Sequence, residues 1–314
     1  MSQQQYYRTL VDLHREVPVF FRPWWLDIVC HTWDVALVEQ NGQITGIMPY
    51  QVEKKAGIRL LRNPPLTPYQ GPWIRPAQDM EPYKLWNREE DIFNRLWAQI
   101  PAFDSYDIMT MPGFQNFLLF HAKGFDNNIR LTYHIDLGAG EPELLGRMQR
   151  SHRKRIEQAE KLYSIEAGTA YTDVLLALHR KTFERKHKKY VYAPEMIRSI
   201  IEQSYRQGSG NLLVAKDERG HIAGTIYTVR DNTHCYLLLS AVDTEKAHKG
   251  TICLLVWNAL LEAKKSGIRT FDFEGSMDAG IEVFFRNFGG RRQAYLAFHR
   301  NTSFIWKLKK AFLG

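Results

Sequence analysis

Apolar positions alternate with polar ones in several short stretches of the chain and recur every three or four residues in others, the periods of strand and helix respectively. In the first half, strands are predicted at WDVALVEQ (33–40), QITGIMPYQVE (43–53), IRLLRN (58–63), DSYDIMTM (104–111) and TYHIDL (132–137), with a helix over Tyr83–Gln99. The second half opens with a helix predicted over 143–162, followed by helices near 172–187 and 194–206. Strands come next at NLLVAKD (211–217), HIAGTIYTVR (221–230) and HCYLLLSA (234–241), then helix 251–266, strand RTFDFEG (269–275), a short helix near 279–287 and strand QAYLAFHR (293–300). Helices interleaved with strands in both halves predict an α/β (α+β) fold with mixed sheets flanked by helices.

The pattern also repeats. VALVEQNGQITGIMPY (35–50) matches LLVAKDERGHIAGTIYTV (212–229) at a shift of 178 residues, pairing Gly42 with Gly220, Ile44 with Ile222 and Gly46 with Gly224. Each segment reads as strand, polar turn, strand. A shift of about half the chain predicts a tandem duplication. LGAGEPEL (137–144), where glycines, a proline and acidic residues interrupt the apolar pattern, marks the boundary between domains at 1–138 and 139–314.

Length and composition narrow the class. A chain of 314 residues accommodates two domains of ordinary size, and 44% hydrophobic with 24% charged residues excludes disorder, collagen-like repeats and coiled coils. The 42 Lys and Arg against 34 Asp and Glu leave +8, which favours anionic partners. Cys30, Cys235 and Cys253 are far apart and lack metal-ligand spacing, so no metal is expected and the thiols read as buried apolar groups. The N-terminus lacks a basic segment followed by an apolar run, and no stretch approaches a membrane span, so the cytoplasm is the expected compartment. The C-terminal FIWKLKKAFLG (304–314) reads either as a peripheral membrane contact or as a last helix packed on its own domain.

Two basic runs carry candidate chemistry. In MQRSHRKRIEQAEK (148–161) an apolar stripe of Met148, His152, Ile156 and Ala159 docks the helix, leaving Arg150, Arg153, Lys154 and Arg155 available to phosphate oxygens. Glu157, four residues from both Arg153 and Lys161, is placed to neutralise part of that face. A solvated, salt-bridged helix face is the alternative. The second run, HRKTFERKHKKY (179–190), leads to Tyr190 and Tyr192, which can stack on a base or sugar.

The densest segment is FDFEGSMDAGIEVFFRNFGGRRQAY (271–295). Asp272 and Glu274 alternate with phenylalanines on a strand, Gly275 permits a sharp exit, and a short helix delivers Arg286 and Asn287. A carboxylate at a strand end can hold an amine or act as a general base, or it can cap the next helix or pair with an arginine. The stiff loop NPPLTPYQGPW (63–73) presents Tyr69, Gln70 and Trp73 as pocket wall or as cover for a sheet edge. Absence of G-x-S-x-G, H-E-x-x-H, a Walker loop and G-x-G-x-x-G before a helix argues against hydrolase, kinase and dinucleotide functions.

Three of these elements in order, Tyr69-Gln70-Gly71-Pro72, the helix SHRKRIEQAEK (151–161), and the strand over 267–276 followed by FFRNFGG (284–290), resemble the FemABX-like branch of the acyltransferase superfamily. The resemblance implies two tandem GNAT-type domains and transfer of an aminoacyl group from aminoacyl-tRNA to an amine, typically on a cell-wall (peptidoglycan) precursor. Relatives that draw on acyl-CoA make an N-acyltransferase of GNAT type the rival, and a non-catalytic nucleic-acid-binding protein is the reading from another class. It further implies phosphate contacts from Arg150, Arg153, Lys154 and Arg155, catalysis by Glu274, Asp272 and Arg286, and substrate contacts from Tyr69, Gln70, Trp73, Tyr190, Ser276 and Asn287. No bound cofactor is expected; the donor is aminoacyl-tRNA or acyl-CoA. Two departures stand out: Phe284-Phe285-Arg286 replaces the family's Phe-Lys pair, and AHKGTICLL (247–255) retains only Gly250 of a glycine-rich pyrophosphate loop.

Overall fold

The computed structural model describes residues 1–77, 79–275, 277 and 279–302. Its first elements are α1 (Gln3–Val11), α2 (Pro23–Val29), β1 (Asp34–Gln40), β2 (Gln43–Tyr50), β3 (Glu53–Lys55), β4 (Ile58–Arg62), β5 (Trp73–Ile74), α3 (Pro82–Trp97), β6 (Ser105–Met109), α4 (Leu118–His121) and β7 (Asp126–Asp136). The chain continues through α5 (Glu141–Arg147), α6 (Arg150–Glu160), β8 (Ser164–Ala167), α7 (Thr172–Arg185), α8 (Pro194–Arg206), β9 (Gly210–Lys216), β10 (Ile222–Arg230), β11 (His234–Val242), α9 (Thr251–Lys265), β12 (Thr270–Asp272), α10 (Ala279–Arg286) and β13 (Arg291–Asn301). Helices flanking mixed sheets make this an α/β fold, as the periodicities predict.

Contacts divide the chain into two compact units. One comprises Met1–Arg130 and the segment from Ala294; the other is Leu131–Gln293. The sequence points to a single break near 138/139, whereas the contacts cut within β7 and again within β13. The second cut exists because Ala297–Asn301 of β13 pair antiparallel with Ser105–Met109 of β6, returning the chain to the first unit.

The first unit is built on an aromatic core. Phe93 and Trp97 of α3 pack with Tyr106, Phe120, Phe125 and Phe298, the last stacked on Phe120 at 4.0 Å. The β1–β2 hairpin turns at Asn41 and Gly42, both with positive φ. The second unit is centred on α9, whose Cys253, Leu254, Leu255, Val256 and Leu260 are buried almost completely against the sheet β8-β9-β10-β11-β12.

The repeat has a structural counterpart. In β2 the register skips Thr45, and in β10 it skips Ala223, positions 178 residues apart. Gly46 and Gly224, each following its bulge, lie beneath a helix: an added Cβ would fall 2.4 Å from Ile92 of α3 and 3.0 Å from Thr251 of α9, respectively. A bulge followed by a helix-covered glycine is a specific arrangement, more so than the hairpin alone.

The helix predicted over 143–162 is two helices. Met148 and Gln149 are extended, and the N–H of Gln149 donates to the carbonyl of Asn287 at 2.9 Å. Gly289 approaches so closely that a Cβ there would lie 2.5 Å from the Arg147 carbonyl. The segment after α10 thus occupies the place where the helix would continue, a tertiary override that apolar spacing does not register.

Candidate active site

The second unit places its carboxylates where two parallel strands part. β11 pairs with β12 over three positions, ending at Tyr236 beside Asp272, while β11 continues to Val242 with β10 as partner. On its other side β12 pairs antiparallel with β7, setting His134 opposite Asp272. Asp272 is 1% exposed. Its Oδ1 accepts from the Thr132 hydroxyl at 2.6 Å and from the N–H of Glu274 at 2.7 Å, and its Oδ2 lies 3.1 Å from His134 Nε2.

Glu274 lies just beyond the strand in left-handed backbone, φ +57°, followed by Gly275 at φ +74°. A non-glycine residue seldom adopts that conformation. Gly275 is required sterically as well, because a Cβ would sit 2.1 Å from the Leu131 carbonyl. The Glu274 side chain is half-buried, and its Oε1 is shielded from solvent without a hydrogen-bond partner among the described residues. Burial, reinforced by the neighbouring Asp272 charge, holds its carboxyl well above the ordinary glutamate value. Glu274 also acts electrostatically on Tyr192 and Tyr236, whose hydroxyls burial keeps protonated.

Around this pair lie groups that the sequence reading did not single out. His234 stacks on Tyr236 and its ring is 5.7 Å from that of His134. Burial lowers the His234 pKa, opposed by nearby Asp231. The Tyr236 hydroxyl donates to Asp231 Oδ2 at 3.1 Å. These residues come from three separate strands and one turn, and only the pairing register brings them together; alternation within HCYLLLSA and TYHIDL was the available signal.

The predicted residues separate into groups. Tyr190 and Tyr192 join His179 and Phe183 in an aromatic cluster, with the Arg180 guanidinium 5.6 Å from the Tyr190 ring centroid. Burial pushes the His179 imidazole down to about 4. Arg286 is exposed and lies 4.0 Å from Glu282, which also accepts from the Tyr133 hydroxyl. Asn287 uses its backbone carbonyl to receive Gln149. Tyr69, Gln70 and Trp73 belong to the first unit: Tyr69 and Gln70 are fully buried, Tyr69 packs edge-on against Phe20 and Tyr295, and Trp73 pairs in β5 with Ile47. Ser276 and the segment 304–314 lie outside the described residues.

The basic helix α6 is docked through His152, Ile156 and Ala159, but its charges divide differently from expectation. Arg153 Nη1 donates to the carbonyls of Leu145, Gly146 and Met148 at 3.1, 3.1 and 3.2 Å. It closes the end of α5 rather than facing outward, and it does not pair with Glu157. Arg155 is half-buried beside Cys253. Arg150 and Lys154 are exposed, their side chains unpaired among the described residues.

A pyrophosphate of the CoA kind needs open N–H groups at a helix N-terminus. At α9, Gly250, Thr251 and Cys253 are buried, and a Cβ on Gly250 would fall 2.1 Å from the Arg155 carbonyl. The N–H of Gly250 donates to His248 Nδ1 at 3.0 Å and that of Thr251 to the His248 carbonyl. α6 covers this turn, so it does not fit a pyrophosphate cradle. Among the described residues no cluster of three or more His, Cys, Asp or Glu is arranged to hold a metal, and no helix is long and apolar enough to cross a membrane.

Residues 146–286 match the family model of the acetyltransferase (GNAT) domain. Among curated proteins nothing matches the chain. Among solved structures it is similar to FemX, at 13% identity over 98% of each chain with a TM-score of 0.72. It is also similar to a C-terminal domain assigned to a lysylphosphatidylglycerol synthetase from Agrobacterium fabrum, at 12% identity over 99% of this chain and 97% of that one, TM-score 0.58. A tandem GNAT protein from the clavulanic acid biosynthesis pathway aligns at 13% identity over 96% and 95%, TM-score 0.52. At such identities these structures report the fold, and the family match spans the segment that holds Asp272 and Glu274. Residues 146–286 are thus similar to the acetyltransferase (GNAT) domain, a match that supports an acyltransferase, and the chain has a fold like that of FemX.

Proposed function

We propose that the protein is an N-acyltransferase in which Glu274 takes a proton from the acceptor amine, with aminoacyl-tRNA as the donor and a peptide-bearing cell-wall precursor as the acceptor. The observation that carries the assignment of the base is the Glu274 carboxyl: half-buried, unpaired at Oε1 among the described residues and held well above the ordinary glutamate value beside Asp272. A carboxyl raised above its ordinary value is a stronger base than a free glutamate and is better suited to take a proton from an amine. The incoming amine nitrogen bonds to the acyl carbon and the donor's C–O ester bond breaks. Of the two protons lost by an ammonium acceptor, one goes to Glu274 and on to solvent, and one to the departing hydroxyl. The aromatic rings of Tyr190 and Tyr192 supply an apolar wall.

The donor assignment follows from the covered turn of α9 together with the exposed, unpaired Arg150 and Lys154, which suit an extended polyanion. An acyl-CoA donor is the second reading, favoured by the GNAT family match; it requires a pose other than the usual one at α9. A screen decides between them: labelled aminoacyl-tRNAs and acyl-CoAs are each incubated with the protein and a mixed set of amines. Label transferred from aminoacyl-tRNA is the expected result, and transfer from acyl-CoA alone refutes the tRNA assignment. With the productive pair, Glu274→Gln is expected to lower kcat by about 100-fold or more; an unchanged kcat sinks the assignment of the base.

A further inference from the structure

His134 has no place in the transfer step, yet its position is unusual. Residues paired across neighbouring strands share one face of a sheet. The register therefore sets His134, Asp272 and Tyr236 in one row. Within that row His134 Nε2 is 3.1 Å from Asp272 Oδ2, within ion-pair distance although neither atom makes a hydrogen bond among the described residues, while the Thr132 hydroxyl and the Glu274 N–H both bind Oδ1.

We propose that His134 is a positioning residue that sets the charge Asp272 presents to Glu274, and with it the pH range in which Glu274 can take a proton from the acceptor amine. The proposal rests on Glu274 being the base. The negative charge of Asp272 opposes ionisation of Glu274. An imidazolium at Oδ2 cancels much of that charge, and a neutral imidazole leaves it in force. Because Asp272 and Glu274 Oε1 are shielded from solvent, the difference is screened less than it would be in water.

Among the described residues, the other groups around His134 come from β11, β12, β7 and β13. From β12 it faces Asp272, and from β11 it faces His234 and Tyr236, the latter bonded to Asp231 of the preceding turn. On β7 itself Thr132 is neutral, and Asp136, two residues on and so on the same face, accepts from the Gly138 N–H at 2.9 Å. Arg292 of β13 turns to the Tyr133 hydroxyl at 3.4 Å, and Tyr133 alternates to the opposite face. Among the described residues Asp272 is the carboxylate within ion-pair distance of His134.

The test is the pH profile of kcat/KM with the productive donor and acceptor, for wild type and four variants. Asp272→Asn retains an oxygen for Thr132 and the Glu274 N–H but removes the charge, and its acidic limb is expected to move down by about 1 pH unit. His134→Gln, which cannot become cationic, is expected to move the limb up by a similar amount, and His134→Lys, a fixed cation, to move it down. Limbs that stay in place for either His134 variant, with only a uniform loss of rate, overturn the proposal. Glu274→Gln separates the two ideas: if it keeps the wild-type rate and limb, the base assignment fails, whereas a dead Glu274→Gln beside immobile His134 limbs refutes the role of His134 alone.

Discussion

Glu274 is held in left-handed backbone, at a cost on the order of 1 kcal/mol for a residue with a Cβ. The hydrogen bond from its N–H to Asp272 Oδ1 at 2.7 Å offsets that cost and ties the two carboxylates together. Its raised pKa also has a consequence for stability. Between the ordinary glutamate value of 4.5 and the raised folded value, the native state binds a proton that the unfolded chain has released, so this group lowers stability as pH rises through that window. Glu274→Gln is expected to flatten that decline, leaving the variant with a higher Tm than wild type at neutral pH; thermal melts at a series of pH values upward from the ordinary glutamate value read the difference. An identical Tm difference at every pH would show that the carboxyl is not perturbed. The sequence places Asp272 and Glu274 two apart on one strand, which implies a shared face. That reading ends at Asp272, because the turn into left-handed backbone re-aims Glu274, and its cause is the close approach of Leu131, remote in sequence.

Among the elements, α5, α6 and α9 form one unit of packing. Gly250 fits only because it lacks a side chain, and Arg153 closes the end of α5 with three carbonyl contacts. Gly250→Ala forces backbone against backbone, and a loss of about 1–3 kcal/mol is expected, read as a lower denaturant midpoint at unchanged slope. For the same reason Gly250→Asp is a poor test of donor choice, since it disturbs the fold before it disturbs any ligand. The amphipathic stripe of α6 is legible in sequence: His152, Ile156 and Ala159 recur at helical spacing and are buried. The break before it and the inward turn of Arg153 are not, since both answer to the loop after α10 and to carbonyls freed by the break itself.

At the scale of the molecule, a net charge of +8 together with the exposed Arg150 and Lys154 of α6 favours a polyanionic donor. If aminoacyl-tRNA binds along α6, the log of its association constant should fall linearly with log salt, and the double variant Arg150→Ala, Lys154→Ala should reduce that slope by about 1–2. Titrations of tRNA at several salt concentrations check this; an unaltered slope places the donor elsewhere. By itself the sequence determined the alternation of strands and helices, the paired hairpins at a shift of 178 residues, the docked basic helix and the carboxylate-bearing strand end. These are local patterns, fixed by backbone period and by which side chains seek burial. Tertiary structure alone decided that His134, Asp272 and Tyr236 share a row, that Arg153 is spent on carbonyls, that α6 covers the start of α9, and that β13 returns to the first unit. Each depends on strand register or on the close approach of distant backbone, and neither leaves a periodic trace along the chain.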